Sequence, residues 1–228
     1  MMICLLDFGM VFQSKAQEVD TISHLLEQGL NNASFVAMDT YLTRTRKTKA
    51  VKGSLYLNEQ WQPSLLLTHK DEVVQLPARY RVYDDEIQIL HDGQVMKLFT
   101  DSIKAVKINS QIFMPLAYSD GKEKKVGYFE LLSEGNVDLL LRREMELQKS
   151  DYNPALNVGR RNDELVVKEM YYYRKNSGTL RPLKQSKGAV LDALSNRKKA
   201  VANFAKANKL GVRKQEDLIA IFDFYNRN

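Results

Sequence analysis

Residues 80–99 read YRVYDDEIQILHDGQVMKLF, and this stretch decides the fold class. Over residues 86–89 isoleucine alternates with glutamate and glutamine, which is the period of a strand with one buried face. The pair Asp92-Gly93 follows and is typical of a tight hairpin turn. A second apolar run, Val95–Phe99, comes directly after it. The stretch therefore predicts two paired antiparallel strands.

The same pattern, two apolar runs separated by turn-forming residues, recurs along the middle of the chain. Residues 103–118 and 126–147 each contain two apolar runs, separated by Asn109-Ser110 in one case and by residues 134–136 in the other. We expect seven or more strands between Leu55 and Leu147. So many short strands joined by turns predict an antiparallel sandwich, roll or partly open barrel.

A polar loop and a further hairpin follow the strand-rich region. Residues 149–163 are rich in Asn, Asp, Gly and Pro, which predicts a loop, and we expect this loop to cross to another part of the molecule. Residues 164–184 predict one more hairpin, with its turn at residues 176–178.

The last forty residues change their apolar period from about two to about 3.6, which predicts a short helical bundle. Ser186 and Ser195 are suitable N-caps, and Gly211 is suited to a helix end with positive φ. Three apolar faces are expected, formed by Val190, Leu191 and Leu194, by Val201, Phe204 and Ala205, and by Leu218, Ile221, Phe222 and Tyr225. The fold class is therefore α+β.

The first residues resemble a secretory leader. Residues 1–12 are apolar, and Ser14 and Ala16 provide small side chains before a cut after Ala16. No basic residue precedes the run and Asp7 interrupts it, so a buried strand or helix of a cytosolic domain is the alternative. The only cysteine is Cys4, and cleavage would leave a mature chain without a thiol. No apolar run reaches the roughly 18 residues that a membrane-spanning helix needs.

These patterns divide the chain into five segments. Residues 17–52 combine a short amphipathic helix, marked by Ile22, Leu25, Leu26 and Leu30, with a connector that carries five basic residues from Arg44 to Lys52. The predicted segments are a signal peptide at 1–16, the helix and basic connector at 17–52, an antiparallel β domain at 53–150, a loop and β-hairpin at 151–185, and a C-terminal helical segment at 186–228.

Four stretches resemble one family. They are GSLYLNEQW at 53–61, ARYRVYDDEIQIL at 78–90, GYFELLSEG at 127–135 and KKAVANFAKANKLGVRKQEDLIAIFDFYN at 198–226. Together they resemble a family of uncharacterised exported proteins from Bacteroidetes-type bacteria, over about three quarters of the chain. The resemblance implies a β-rich exported protein with a short helical tail. It implies no activity, because the family has no established catalytic or ligand residues.

Candidate metal ligands are few. Asp84-Asp85-Glu86 is the densest acidic cluster, but a calcium loop spaces its oxygens over about a dozen residues around a glycine. We expect solvated turn and edge residues here. His24, His69 and His91 are isolated from one another and from Cys4, so the spacing of a zinc site is absent.

No catalytic signature is present in the sequence. The GxSxG, GxxxxGK[ST] and GxGxxG patterns are missing, and only three histidines could serve as a base near neutral pH. We therefore predict no catalytic residue, no cofactor and no metal. In Tyr171-Tyr172-Tyr173 the outer two rings share one strand face and the middle ring takes the other, so the triplet presents no three-ring platform.

The strongest charge feature lies at residues 196–214, with seven basic residues and no acid. Such a segment fits a helix bound to nucleic-acid phosphates, or a surface helix whose Val201 and Phe204 dock on the β domain while its lysines stay in water. The second interpretation is favoured. The formal charge of +6 over 228 residues agrees with an acidic partner but also with simple solubility.

The resulting functional prediction has three branches, of which an enzyme of unrecognised type is the least favoured. The first is a non-enzymatic exported protein of the periplasm or cell surface that binds another protein or an envelope glycan through its β domain, with no membrane span after removal of the leader. The alternative is a nucleic-acid-binding module that uses the basic C-terminal helix.

Overall fold

The computed structural model describes residues 21–29, 42–44, 53–119, 121, 123–160 and 162–227. The predicted signal peptide at 1–16, Cys4, Leu30 and residues 45–52 of the basic connector lie outside these ranges. None of the helices in the described ranges is both long and apolar enough to cross a membrane.

The described residues form four α-helices and eleven strands. The helices are α1 (Ile22–Gly29), α2 (Lys187–Ala193), α3 (Lys198–Ala207) and α4 (Gln215–Asn226). The strands are β1 (Leu42–Arg44), β2 (Gln62–Thr68), β3 (Val73–Arg81), β4 (Glu86–His91), β5 (Gln94–Leu98), β6 (Ile103–Ile108), β7 (Gln111–Ser119), β8 (Lys124–Ser133), β9 (Val137–Gln148), β10 (Glu164–Lys175) and β11 (Arg181–Pro182).

All strands belong to one antiparallel sheet in the order β1-β5-β4-β3-β2-β6-β7-β8-β9-β10-β11. The α+β class is confirmed, as are the predicted turns between β4 and β5, β6 and β7, and β8 and β9. At Asp92-Gly93 both residues have positive φ, 49° and 73°, as the two-residue hairpin turn requires. Eight strands, β2 to β9, confirm the prediction of seven or more.

The loop at 149–163 does not cross the molecule, so that prediction was wrong. Strand β10 pairs with β9 along its whole length, from Glu164 opposite Gln148 to Lys175 opposite Val137. The loop therefore returns the chain to its immediate neighbour. Its polar composition indicates irregular backbone but carries no information about where the next strand lies.

The sheet curls upon itself. The 3-10 turn Val82–Asp84, which joins β3 to β4, contacts β9, although five positions in the sheet separate β3 from β9. Only a strongly curved sheet allows this contact. Its concave face encloses a core that includes Leu66, Tyr80, Val106 and Phe113. Of the three predicted architectures, the partly open barrel is the nearest to this arrangement.

Helices cover the sheet on both faces. Helices α2, α3 and α4 pack on β9 and β10, where Leu139, Leu141 and Tyr171 join Val201 and Phe222 in a second core. Helix α1 packs on the opposite face of β2 and β3 through the fully buried Leu26, together with Leu65 and Leu67. The residues Leu65, Leu66 and Leu67 are buried in succession because both faces of β2 are covered.

One predicted helix boundary is confirmed and two are wrong. The Ser186 side chain accepts a hydrogen bond from the Ala189 N–H, so Ser186 caps α2 as expected. Ser195 lies in a 3-10 turn, and α3 begins only at Lys198. The positive φ after α3 belongs to Lys209, at 55°, and not to Gly211. The chain reverses two residues earlier than the glycine suggested.

Candidate functional site

A cavity of about 520 Å³, lined mainly by polar residues, lies where four elements converge. The first turn of α1, the β8–β9 turn, the turn after β10 and the last turn of α4 form its walls. We call this cavity the polar basin. Its lining residues are Thr21, Ile22, Met114, Glu134, Gly135, Asn136, Asp138, Arg174, Asn176, Ser177 and Asn226.

Glu134 attaches α1 to the rim of the basin. Its carboxylate accepts hydrogen bonds from the Ile22 N–H at 2.7 Å, the Ser23 N–H at 3.2 Å and the Ser23 hydroxyl at 2.8 Å. The first N–H groups of a helix have no partner within the helix, and a negative charge is favourable at that end. Glu134 therefore acts as a remote cap for α1, and its acceptor capacity is largely used.

Asp138 and Arg174 form an ion pair across β9 and β10, where they occupy opposite positions. Asp138 Oδ2 accepts from Arg174 Nε at 2.9 Å and from Nη2 at 2.7 Å, and Oδ1 accepts from the Gly135 N–H at 3.1 Å. Both side chains are mostly buried, with 6% and 14% exposed. The charges of this pair are therefore neutralised inside the basin wall.

Asn226 connects the end of α4 to the β8–β9 turn. Its side-chain oxygen accepts from the Val137 N–H at 3.1 Å, and its amide nitrogen donates to the Val137 carbonyl at 3.0 Å and to Ser133 Oγ at 3.2 Å. A Cβ at position 135 would lie 2.5 Å from Asn226 Cγ, so only glycine permits this approach. The amide replaces a strand partner for Val137.

Three polar side chains of the basin have no hydrogen-bond partner within the described ranges, namely Asn136, Asn176 and Ser177. Asn176 and Ser177 both have positive φ, 46° and 56°, as in a two-residue hairpin turn. Glycine is the preferred residue at the second position, and another residue there costs about 1 kcal/mol. Ser177 therefore has a strained backbone, and it lies at the edge of the basin, where its hydroxyl can form a hydrogen bond with a bound molecule.

The acidic cluster at residues 84–86 lies at a turn as predicted, but Asp84 and Asp85 are half-buried and Glu86 is buried, so the prediction that all three are solvated was wrong. Glu86 is buried and pairs with Lys97 at 2.9 Å, and Asp84 pairs with Arg81 at 3.0 Å. Asp85 has φ 54°, which turns its side chain away from its neighbours. The three carboxylates therefore diverge toward separate partners. The described ranges contain no group of His, Cys, Asp or Glu side chains that could hold a metal ion.

Asp85 instead closes the curved sheet. Its carboxylate accepts from the Tyr80 hydroxyl at 2.6 Å, from Arg142 Nη1 at 2.9 Å and from the Tyr128 N–H at 3.3 Å. Pairing of β8 with β9 ends at Glu130, opposite Leu141, and beyond this point Asp85 supplies the missing acceptor. We call Asp85, Tyr80 and Arg142 the closing cluster.

Burial dominates the electrostatics of the closing cluster. It raises the pKa of Tyr80 far above the ordinary value, and the Asp85 charge raises it further. Burial and Asp85 likewise raise the pKa of Tyr128. Burial lowers the pKa of Arg142, but the attraction of Asp85 outweighs it and the net pKa is raised. The tyrosines are therefore held neutral and the guanidinium charged, which stabilises the fold and supplies no proton donor near neutral pH.

The three histidines lie on separate elements. The Gln28 amide is 2.7 Å from Nε2 of His24 on α1, and His91 at the end of β4 is 3.5 Å from Asp92. His69, in the turn after β2, is exposed.

The basic segment 196–214 packs partly as expected. Val201 is buried in the core shared with β9, which confirms docking on the β domain for this residue. Phe204 instead stacks on Phe224 of α4, with ring centroids 4.1 Å apart, so its predicted contact was wrong. The side chains of Lys199, Lys206 and Lys209 are exposed, which agrees with both interpretations of this segment.

The tyrosine triplet divides between the two faces of the sheet as predicted. Tyr171 belongs to the core beneath the C-terminal helices. Tyr172 makes an edge contact with Phe129 on the other face, with centroids 5.1 Å apart.

Comparison of the chain with protein-family models, with curated proteins and with solved structures finds no match. The resemblance to exported proteins of Bacteroidetes-type bacteria therefore stays a prediction.

The sequence predicted both turns of the basin, at residues 134–136 and 176–178, but it did not predict that they lie next to each other. The register of β9 and β10 brings them together, because Val137 lies opposite Lys175. A non-glycine pair at Asn176-Ser177, in a turn that favours glycine, was the one signal available in the sequence.

Proposed function

We propose that the protein is a non-enzymatic binding protein of the bacterial envelope and that the polar basin holds a neutral, hydroxyl-rich glycan unit. The supporting observation is that the charged and the neutral polar side chains of the basin differ in their hydrogen bonding. Its charged groups are engaged with protein partners, whereas the side chains of Asn136, Asn176 and Ser177 face the cavity without any partner among the described residues.

The chemistry of the free groups favours a glycan. A sugar hydroxyl both donates and accepts a hydrogen bond, and side-chain amides and hydroxyls do the same. The partly exposed side chain of Ile22 offers an apolar surface for the C–H groups of a sugar ring. A volume of about 520 Å³ lies within the common range for small-ligand sites.

The carboxylates of the basin support binding without turnover. Glycoside hydrolysis needs two carboxyl groups that flank the scissile bond and exchange protons with the substrate. Glu134 accepts three hydrogen bonds from α1, and Asp138 is bound to Arg174 and to the Gly135 N–H. Both are already engaged as acceptors.

The binding test uses ligand-observed saturation-transfer NMR with glucose, mannose, N-acetylglucosamine and their β-linked dimers. We expect at least one saccharide to bind, and the double variant Asn136→Ala/Ser177→Gly to lower its affinity about tenfold, because two hydrogen bonds of about 0.7 kcal/mol each are lost. Ser110→Gly, in the exposed β6–β7 turn, is the matched control. The proposal would be refuted if no saccharide showed saturation transfer from the protein, or if the double variant and the Ser110→Gly control bound the saccharide with equal affinity.

The envelope assignment is tested separately. It is supported by the leader-like residues 1–12 and by the family resemblance. Mass spectrometry of the N-terminus from native cells is expected to find the chain starting after Ala16. A chain that retains Met1 in the cytosolic fraction would overturn the assignment and leave the binding test unaffected.

Nucleic-acid binding is the second candidate, supported by exposed cations at Lys199, Lys209 and Lys214 that have no acidic partner among the described residues. It requires an affinity for DNA or RNA that falls steeply as salt is raised from 50 to about 200 mM. Undetectable or salt-independent binding in a filter assay would remove this candidate.

A further inference from the structure

A second cavity, of about 230 Å³, lies among the three C-terminal helices and shares no residue with the polar basin. We call it the helical cavity. Side chains of α2, α3 and α4 and the segment 210–212 form its wall, which is apolar apart from two lysines. Helix α3 contributes the small side chains of Ala202 and Ala205 to this wall. These alanines leave room that larger residues would fill.

The backbone after α3 completes the wall. Lys209 adopts φ 55°, and the Leu210 N–H donates to the Ala205 carbonyl at 2.9 Å. This reversal places Leu210 and Val212 across from α2. The Gly211 N–H then donates to Asp217 Oδ2 at 2.8 Å. That carboxylate is therefore engaged with the backbone beside the cavity.

Lys187 and Lys206 line the cavity together with its apolar side chains. Both lysines are exposed, and neither has an acidic partner among the described residues. Such a cavity presents an apolar interior and two positive charges. Charge complementarity therefore favours a ligand with one apolar end and one anionic end.

The volume sets the length of the apolar end. An apolar cavity of about 150 Å³ accommodates the six carbons of benzene. In proportion, 230 Å³ accommodates about nine carbons. We propose that the helical cavity binds a medium-chain carboxylate, with its chain among α2, α3 and α4 and its carboxylate between Lys187 and Lys206.

The test titrates the full chain with hexanoate, octanoate and decanoate below their micellar concentrations, by calorimetry. Each added methylene contributes about 0.8 kcal/mol, so we expect the affinity to rise about fourfold per methylene until the cavity is full. Ala202→Leu fills the cavity and is expected to abolish saturable binding. The double variant Lys187→Gln/Lys206→Gln is expected to weaken the binding of octanoate while leaving the binding of octanol unchanged. The matched control is Lys199→Gln, which lies on α3 like Lys206 but does not line the cavity.

Four results would overturn the inference. Octanoate binding that is not saturable, or that is unaffected by Ala202→Leu, would exclude the cavity. Equal loss of octanoate and octanol in the double lysine variant would exclude recognition of the carboxylate. A dimer in sedimentation that Ala202→Leu dissociates would assign the cavity to a second copy of the chain. Should Ala202→Leu fail to fold, the double lysine variant decides alone.

Discussion

Gly127→Ala should break the closing cluster, although it adds only one methyl group. A Cβ at position 127 would lie 2.2 Å from Arg142 Nη1 and 2.6 Å from Asp85 Oδ2. Real Cβ atoms do not approach other heavy atoms so closely, and the guanidinium cannot simply swing outward because the Arg142 side chain is only 5% exposed. The methyl group must therefore separate Arg142 from Asp85.

The expected cost follows from this geometry. Overpacking in a filled interior costs about 1–3 kcal/mol. Breaking a buried ion pair by removal of one partner costs about 3–5 kcal/mol, but here both partners remain and Asp85 keeps its bond to Tyr80. We therefore expect Gly127→Ala to lower the free energy of unfolding by about 2–4 kcal/mol.

The assay is urea unfolding followed by the fluorescence of Trp61, the only tryptophan, which lies 4.2 Å from the Arg79 guanidinium in the folded protein. The matched control is Gly188→Ala in α2, where an added Cβ meets no atom of the described residues within 4 Å. Alanine is preferred to glycine in a helix, so this control should raise stability by about 0.5–1 kcal/mol. The same chemical change thus has opposite expected signs at two positions.

A double-mutant cycle identifies the mechanism. In an Arg142→Met background the guanidinium is absent, so Gly127→Ala should cost at least about 1 kcal/mol less than in the parent protein, and the remaining cost comes from the contact of the Cβ with Asp85 Oδ2. A cost below 0.5 kcal/mol in the parent protein, or an equal cost in both backgrounds, would refute the role assigned to the closing cluster.

Three further predictions concern the same architecture. Ser177→Gly should raise the unfolding free energy by roughly 0.5–1 kcal/mol, because glycine adopts φ 56° without strain; no gain in urea unfolding would contradict the strain argument. Burial and Asp85 raise the pKa of Tyr80 and Tyr128 in the folded state, so ionisation of these two groups leaves the free energy of unfolding unchanged below about pH 10 and lowers it above that pH, by about 2.7 kcal/mol per pH unit for the two together. Tyr128→Phe should make the loss of stability less steep by about 1.4 kcal/mol per pH unit, measured by urea unfolding from pH 9 to 11.5. It should also raise stability by about 1 kcal/mol at neutral pH, because the buried Tyr128 hydroxyl has no partner among the described residues; an unchanged slope would contradict the pKa argument. Asn226→Ala should cost about 2–3 kcal/mol in the same assay, because it leaves the Val137 N–H and carbonyl unpaired, and a cost under 0.5 kcal/mol would contradict its bridging role.

Local sequence signals predicted the local structure well. The alternation at residues 86–89 and the pair Asp92-Gly93 determine β4, its turn and β5 through residues that are neighbours in the chain. The apolar period after Ser186 likewise predicted helices, because burial of one helical face leaves its mark every three to four residues. These features need no knowledge of the rest of the molecule.

Long-range polar contacts could not be predicted in this way. Asp85 meets Arg142, and Glu134 meets Ile22, across separations of 57 and 112 residues. An acidic residue in a turn is usually solvated. The neighbouring residues in the sequence do not distinguish it from one that accepts a hydrogen bond from a guanidinium far away in the chain. The positive φ of Asp85 determines that contact, and asparagine or aspartate in any turn offers the same possibility.

The closing cluster and the polar basin arise from one structural cause, which is the interruption of strand pairing around β9. Where β8 and β9 separate, Asp85 supplies the missing acceptor, and Arg142 encloses it so that only 21% of its side chain stays exposed. On the other side of the short β8–β9 pairing, at the start of β9, Asn226 supplies the missing partner of Val137, but the neighbouring turns stay open to solvent. A satisfied and enclosed interruption stabilises the fold. An open interruption, whose turn side chains lack partners among the described residues, offers hydrogen bonds to a ligand. We therefore propose a binding role for the polar basin and a stabilising role for the closing cluster.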